Sequence, residues 1–341
     1  MTTVFEEEIR VQAQLLSERA VQGAIEAARV AEVFRGVEYA LVAARGSSDN
    51  AAVFFQYLAG QELGLVVALA APSLYEGDRT MGLAGAGVLA ISQSGRTPGL
   101  VNVMEQAVAQ DRPHAVITND VGSPLAIVSA NVIGLRAGAE RAIASTKTFS
   151  TTWHALAQLV EALKGSPLEG LESLPDVVGR TAEWALSGDL PTSLLDVDGG
   201  LTVVGRGVGQ AVAAEIALKI REVTGIRAEA FSAADFLHGP IGAGGEGSTL
   251  LLVVTSEMTD AVANELVSEC RRFGMRTVVL RAEDRTEVSG DADIVVTEAM
   301  ANWCLGLAEV IVGQALSLRL GERRGRPIDT APGLKKVTLS A

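Results

Sequence analysis

Three runs rich in hydroxyl side chains follow short apolar segments and precede helix-like ones: Arg45-Gly46-Ser47-Ser48-Asp49-Asn50, Ser92-Gln93-Ser94-Gly95-Arg96-Thr97-Pro98 and Ala144-Ser145-Thr146-Lys147-Thr148. Backbone N–H groups at a helix N-terminus carry partial positive charge, and nearby hydroxyls add donors, so such turns suit a phosphate monoester. Ser and Thr are also favoured N-caps, and capping alone would explain any one of these turns. Three in one half of the chain, at the ends of strands expected to lie side by side, point to phosphate binding. The candidate ligands are Ser47, Ser48, Ser92, Gln93, Ser94, Thr97 and Ser145.

A second group has acid–base character. Lys219 and Glu222 are three apart on a helix-like run, so they share a face and can pair; Ile220, Val223 and Ile226 give Glu222 an apolar setting. His238, in Phe236-Leu237-His238-Gly239-Pro240, stands beside a Gly-Pro turn, and imidazole is the side chain best suited to proton transfer near neutrality. His114 at the start of a strand and His154 inside a helix are read as structural. Lys335 and Lys336 lie in a tail with an apolar, strand-like end that is able to fold back over a site. Cys270 and Cys304 have no Cys or His at ligand spacing and are read as buried apolar thiols.

The elements that must carry these residues repeat. Val42–Gly46 (VAARG) matches Val203–Gly207 (VVGRG) at an offset of 161. Val88–Thr97 matches Leu250–Thr259, His114–Ile117 matches Arg276–Val279, and Asn131–Leu135 matches Asp293–Thr297, all at 162. The intervening runs, such as 51–59, 100–109, 211–224 and 259–273, have apolar residues at helical spacing. Near-continuous apolar strands alternating with helices predict an α/β protein of two parallel sheets, each covered on both faces. The expected organisation is a helical segment at 1–33, a first domain at 34–165, a helical connector at 166–198, a second domain at 199–325 and a tail at 326–341. Ligands of such sheets sit beyond the carboxyl ends of the strands. In the second half Glu257 stands where Gly95 stands in the first and should repel an anion, so phosphate binding is expected of the first half alone.

Composition excludes other classes. The chain has 341 residues, 28 Lys+Arg against 41 Asp+Glu and a net charge of −13, which disfavours nucleic acid as a partner. With 48% hydrophobic and 20% charged residues it is folded, and with 4% aromatics its core is aliphatic. The acidic N-terminus lacks an apolar run, and uncharged windows such as 121–135 are too short and too polar to span a membrane, so a cytoplasmic location is expected.

Ser92-Gln93-Ser94-Gly95, Ala144-Ser145-Thr146-Lys147 and Ala228-Glu229-Ala230-Phe231 leading to His238-Gly239-Pro240 resemble the SIS (sugar isomerase) family. They are most similar to the isomerase half of glutamine-fructose-6-phosphate aminotransferases and to stand-alone glucosamine-6-phosphate deaminases, in collinear order over about residues 30–340. The resemblance implies two flavodoxin-like subdomains. Ser48, Ser92, Gln93, Ser94 and Thr97 would hold the sugar phosphate, and Ser145 the sugar or its phosphate. Glu222 would move the proton between C1 and C2, with Lys219 a further basic residue of the site. His238 would assist ring opening from the neighbouring subunit of a homodimer, and Lys336, or Lys335, would contact the open-chain sugar or form a Schiff base with it. Met1-Thr2-Thr3 offers no N-terminal cysteine nucleophile, and Arg96 stands where the aminotransferases carry an acidic residue. The expected reaction is therefore glucosamine 6-phosphate and water to fructose 6-phosphate and ammonia, which calls for no metal or redox cofactor. Glu222 would act as base toward C2 and acid toward O1, and needs partial burial. The alternatives are a fructosamine-6-phosphate deglycase, an aldose-ketose phosphate isomerase and, less favoured, a non-catalytic sugar-phosphate sensor.

Overall fold

The computed structural model describes residues 2–296, 301–330 and 336. Helices α1 (Val4–Arg10) and α2 (Gln12–Phe34) precede β1 (Tyr39–Ala43), α3 (Ser47–Leu63), β2 (Val66–Leu69), β3 (Ala86–Ser92), α4 (Pro98–Ala109), β4 (His114–Thr118), α5 (Pro124–Val128), β5 (Val132–Gly134) and α6 (Lys147–Lys164). Helices α7 (Leu174–Ser187) and α8 (Thr192–Leu195) lead into β6 (Leu201–Gly205), α9 (Val208–Thr224), β7 (Ala228–Ser232), α10 (Ala233–Leu237), β8 (Thr249–Val254), α11 (Asp260–Arg272), β9 (Arg276–Ala282), β10 (Ala292–Val296) and α12 (Asn302–Arg323).

The strands form two five-stranded parallel sheets, β2-β1-β3-β4-β5 and β7-β6-β8-β9-β10. This is the two-subdomain flavodoxin-like α/β fold. The central strands β3 and β8 are buried at every residue, as strands covered on both faces must be, and this is why they read as unbroken apolar runs. Of the described residues, 14–140, 147–172 and 336 make one compact unit, and 2–13, 141–146, 173–296 and 301–330 the other.

In the first-half unit, one core cluster joins Val88, Ala90 and Val116 of the sheet to Leu100, Val103 and Met104 of α4. Phe54 of α3 stacks on Trp153 of α6 with ring centroids 3.6 Å apart, which fixes the helix whose first turn carries Ser47 and Ser48. In the second-half unit Leu250, Leu252 and Val254 of β8 pack on Ala263, Leu266 and Cys270 of α11.

Two expectations need revision. β5 lies at the sheet edge with β4 between it and β3, so the three hydroxyl-rich turns do not all follow adjacent strands. Only β1 and β3 are neighbours. Helix α12 has a window of mean hydropathy 1.4 and is long and apolar enough to cross a membrane, which the search for uncharged windows missed because Glu309 and Arg319 interrupt it. It is 94% buried within the fold, packed against α9 and α7.

Candidate functional site

In the first-half unit, β1 ends in a turn at Gly46, whose φ of 59° is a left-handed conformation open to glycine, and α3 begins at Ser47 with no side-chain cap. Beside it β3 runs into Ser92–Thr97. The Gly95 N–H donates to the Ser92 hydroxyl at 3.1 Å, the Arg96 N–H donates to Ser94 at 3.3 Å, and the Gly95 carbonyl accepts from the Leu125 N–H at 3.0 Å. Gly95 has φ 61°, and a Cβ there would stand 1.9 Å from the Ser123 hydroxyl, so this loop excludes any larger residue. Ser123, Thr118 and Asp120, from the end of β4, brace the loop and were absent from the sequence reading, because nothing local marks them. Arg96 is exposed and pairs with Asp120 at 2.9 Å. Burial raises the Asp49 carboxyl at this turn, with Arg45 opposing it.

Comparison within the chain separates a hydroxyl that caps its helix from one that does not. Thr97 is the N-cap of α4, yet its side chain makes no capping bond. Its counterpart Thr259 is the N-cap of α11 and accepts from the Val262 N–H at 3.4 Å. The Gly46 turn likewise has a copy at Gly207, with φ/ψ of 59°/−132° and 61°/−130°. Glu257 does not merely stand opposite Gly95 in the alignment: its Oε2 accepts the Val208 N–H at the start of α9 at 2.9 Å. The second turn holds an anion of the chain itself.

In the second-half unit, Lys219 Nζ lies 2.5 Å from Glu222 Oε2 and 3.4 Å from Glu215 Oε1. Lys219 and Glu215 are fully buried, while the Glu222 side chain keeps 25% of its exposure. The Glu215 carboxylate was missed, although its spacing of four from Lys219 was visible. Glu222 occupies the last turn of α9, about 20 Å along the helix from Val208. A helix connecting parallel strands runs antiparallel to them, so Glu222 is carried to the amino ends of β6 and β7. The expectation that chemistry would gather at strand carboxyl ends therefore fails for this residue. His238 ends α10, after edge strand β7, and is exposed. A cavity of about 240 Å³ at the amino end of β6 and β7 is lined by Thr202, Arg227, Glu229, Phe231 and Pro240 among others, and by none of the expected site residues.

Lys336 donates to the buried Glu140 carboxylate at 3.0 Å. The other Glu140 oxygen accepts the Thr148 N–H at 3.0 Å, so one carboxylate anchors both the first turn of α6 and the tail lysine. Lys335 lies outside the described residues. Ser145 belongs to segment 141–146, which is tied to α1 by the Glu8 carboxylate accepting from the Arg141 N–H at 2.6 Å. His114 opens β4, as read. His154 is buried in α6, where its Nδ1 accepts from Arg19 at 2.8 Å; burial and then the Arg19 charge push its pKa down to about 3. Both cysteines are buried, and burial pushes the Cys270 thiol up to about 12.

The SIS domain family model matches residues 35–162 and 195–319. A glutamine-fructose-6-phosphate aminotransferase (isomerizing) from Sulfurisphaera tokodaii is 28% identical over 285 residues, covering 83% of this chain and 47% of the relative. The chain spans about half the length of the curated relatives it matches, or less, from 37% to 52% in three of them. Among solved structures, the C-terminal domain of a glucosamine-fructose-6-phosphate aminotransferase from Francisella tularensis superposes with a TM-score of 0.85 at 22% identity, covering 97% of this chain and 99% of that one. A glucosamine-6-phosphate deaminase from Thermotoga maritima gives 0.77 at 21%, covering 99% and 100%. With its two halves matched in turn, each over one parallel sheet, this chain belongs to the SIS domain family.

Proposed function

We propose that the chain is an amino-sugar phosphate deaminase/isomerase that converts glucosamine 6-phosphate and water to fructose 6-phosphate and ammonia. The observation that carries this reading is Glu222. Its carboxylate is partly exposed, while its counter-cation Lys219 is fully buried and braced from behind by Glu215. Such an arrangement presents one carboxylate to a substrate and holds it in one orientation, as proton transfer requires. The uncapped Thr97 and the Gly46 turn, where α3 starts with no side-chain cap, with Ser48, Ser92, Gln93 and Ser94, support a phosphate monoester as the group that fixes the substrate. The name of the T. maritima relative, a glucosamine-6-phosphate deaminase, supports an amino-sugar phosphate, and that of the S. tokodaii relative supports fructose 6-phosphate.

In this reading His238 assists ring opening, which exposes the C1 aldehyde. Glu222 takes the proton from C2 as O1 is protonated, giving an enolamine. A proton then returns at C1 while the nitrogen at C2 becomes an iminium. Water adds at C2 and ammonia leaves. Lys336 contacts the open-chain sugar in the orientation Glu140 sets, and Ser145 bonds the sugar or its phosphate. His238, exposed after an edge strand, serves the neighbouring chain of a homodimer.

The test is a time course of ammonia and fructose 6-phosphate from glucosamine 6-phosphate, with Glu222→Gln as control. Equal release of both, lost in the variant, is expected. Ketose formation from an aldose phosphate with no ammonia from the amino sugar would instead assign a simple isomerase. If neither product forms while the sugar phosphate still raises Tm, phosphorylated fructosamines become the substrates to test.

A further inference from the structure

We propose that Glu8 and Asp329 are positioning residues for Ser145, so that the N-terminal helix α1 belongs to the machinery that binds the sugar phosphate. The inference rests on the proposed role of Ser145 in bonding the sugar or its phosphate. Three consecutive N–H groups shortly before that serine are held by α1 or by a group that α1 holds. The Arg141 N–H donates to Glu8 Oε1 at 2.6 Å, the Ala142 N–H to Glu8 Oε2 at 3.4 Å, and the Ile143 N–H to the Asp329 carbonyl at 3.2 Å. Asp329 is itself gripped by the helix: its Oδ2 accepts the Val4 N–H at 3.0 Å and its Oδ1 the Phe5 N–H at 2.9 Å. All of these groups lie within the second-half unit.

The support is rigid. Phe5 and Ile9 are fully buried, α1 packs on α12 and α7, and just beyond it the Gln12 amide donates to Gln314 of α12 at 2.7 Å. Glu6 and Glu7 already supply the acidic first turn that a helix favours, so the dipole of α1 does not account for Glu8. Glu8 is buried, and a carboxylate goes into a protein only at a cost that its hydrogen bonds must offset. The bonds it makes are charge-assisted and go to the backbone of another segment, where they fix position. What that backbone carries is an uncommitted group: Ser145 is half-buried, and its hydroxyl has no hydrogen-bond partner among the described residues. A backbone held fast under a free hydroxyl is the arrangement that aims a side chain at a ligand, and a misplacement of about 1 Å is enough to lose it.

The test is the Kd of fructose 6-phosphate, measured by calorimetry on the full-length chain in a Glu222→Gln background so that no turnover intervenes. Ser145→Ala is expected to weaken binding about 3- to 10-fold, the effect of one hydrogen bond. Glu8→Gln keeps one acceptor oxygen but turns an NH2 group toward a backbone N–H, which displaces the segment. It is expected to weaken binding by a similar factor where Ser145 is present and to add nothing in the Ser145→Ala protein, the non-additivity of residues that act through one group. Asp329→Asn should behave in the same way. Weakening by one factor in both backgrounds, or unchanged binding in folded Glu8→Gln, overturns the proposal, because a helix that only stabilises the fold does not act through one hydroxyl. No binding by the parent, or none lost in Ser145→Ala, shows before any change at Glu8 that the substrate reading fails, and the proposal falls with it. If neither Glu8→Gln nor Asp329→Asn folds, hydrogen exchange of the parent decides. The amides of 141–143 are expected to exchange slowly with or without fructose 6-phosphate, as a preformed support requires, and exchange that is fast until the sugar phosphate binds overturns it.

Discussion

Lys219→Met separates the structural and catalytic roles of the row Glu215–Lys219–Glu222. Glu215 and Lys219 are both fully buried, 3.4 Å apart. Removing the ammonium takes away the cation 3.4 Å from the buried Glu215 carboxylate, and breaking a buried pair in this way costs about 3–5 kcal/mol. For a unit of this size that corresponds to a fall in Tm of about 10 °C. Glu222→Gln removes the other carboxylate, but Lys219 keeps Glu215 and the altered side chain is partly exposed, so the loss should be about 1 kcal/mol or less. Its effect falls on the reaction instead, where loss of a general acid–base group lowers the rate about 10²- to 10⁴-fold. Differential scanning calorimetry and the ammonia assay on the two variants measure both quantities. A Lys219→Met protein melting within about 2 °C of the parent would show that the row is not electrostatically coupled as argued. A Glu222→Gln protein retaining more than about a tenth of the rate would remove Glu222 as the proton carrier.

Other outcomes follow from single geometries. Gly95→Ala must accept a left-handed φ and a Cβ 1.9 Å from the Ser123 hydroxyl, so it should destabilise the first-half unit by roughly 2–4 kcal/mol and abolish the phosphate-dependent rise in Tm; unchanged binding would sever that loop from the anion. The His154 ring stays neutral in the folded state down to about pH 3, whereas in the unfolded chain it takes a proton near 6.5, so protons favour unfolding in between. Its contribution is complete above pH 6.5 and falls by about 1.4 kcal/mol per pH unit below that. Urea unfolding at pH 7.5, 6.5 and 5.5 should show that slope in the parent and a shallower one in His154→Gln; equal slopes would contradict the assignment. If His238 serves the neighbouring chain, mixing inactive Glu222→Gln and His238→Asn proteins after dissociation should restore about a quarter of the parental activity, since in half of the pairs one site regains both groups. No recovery in verified mixed dimers would place His238 in its own chain's site.

The repeat, the strand positions and the hydroxyl-rich turns were legible because they are properties of consecutive residues. A strand buried on both faces must be apolar along its length, as 86–92 and 249–254 are, and a strand-to-helix turn selects glycine and small hydroxyl residues wherever it occurs. Glu222 and Lys219 were legible for the same reason, since a spacing of three on a helix places two side chains together whatever the tertiary fold.

What the sequence left open depends on partners far away along the chain. Thr97 and Thr259 occupy equivalent positions, and no local pattern says that one hydroxyl caps its helix and the other does not. Glu257 reads as a charge that repels an anion, but the fold turns its carboxylate onto a helix N-terminus 49 residues away, where it accepts the Val208 N–H. Glu140 and Lys336 meet across 196 residues. The apolar run of α12 becomes a core helix only because α7 and α9 cover it. Periodicity determines which elements form and which faces they bury. The pairing of buried charges and hydroxyls is decided by packing, because the cost of leaving a polar group unpartnered is settled only when the chain has closed around it.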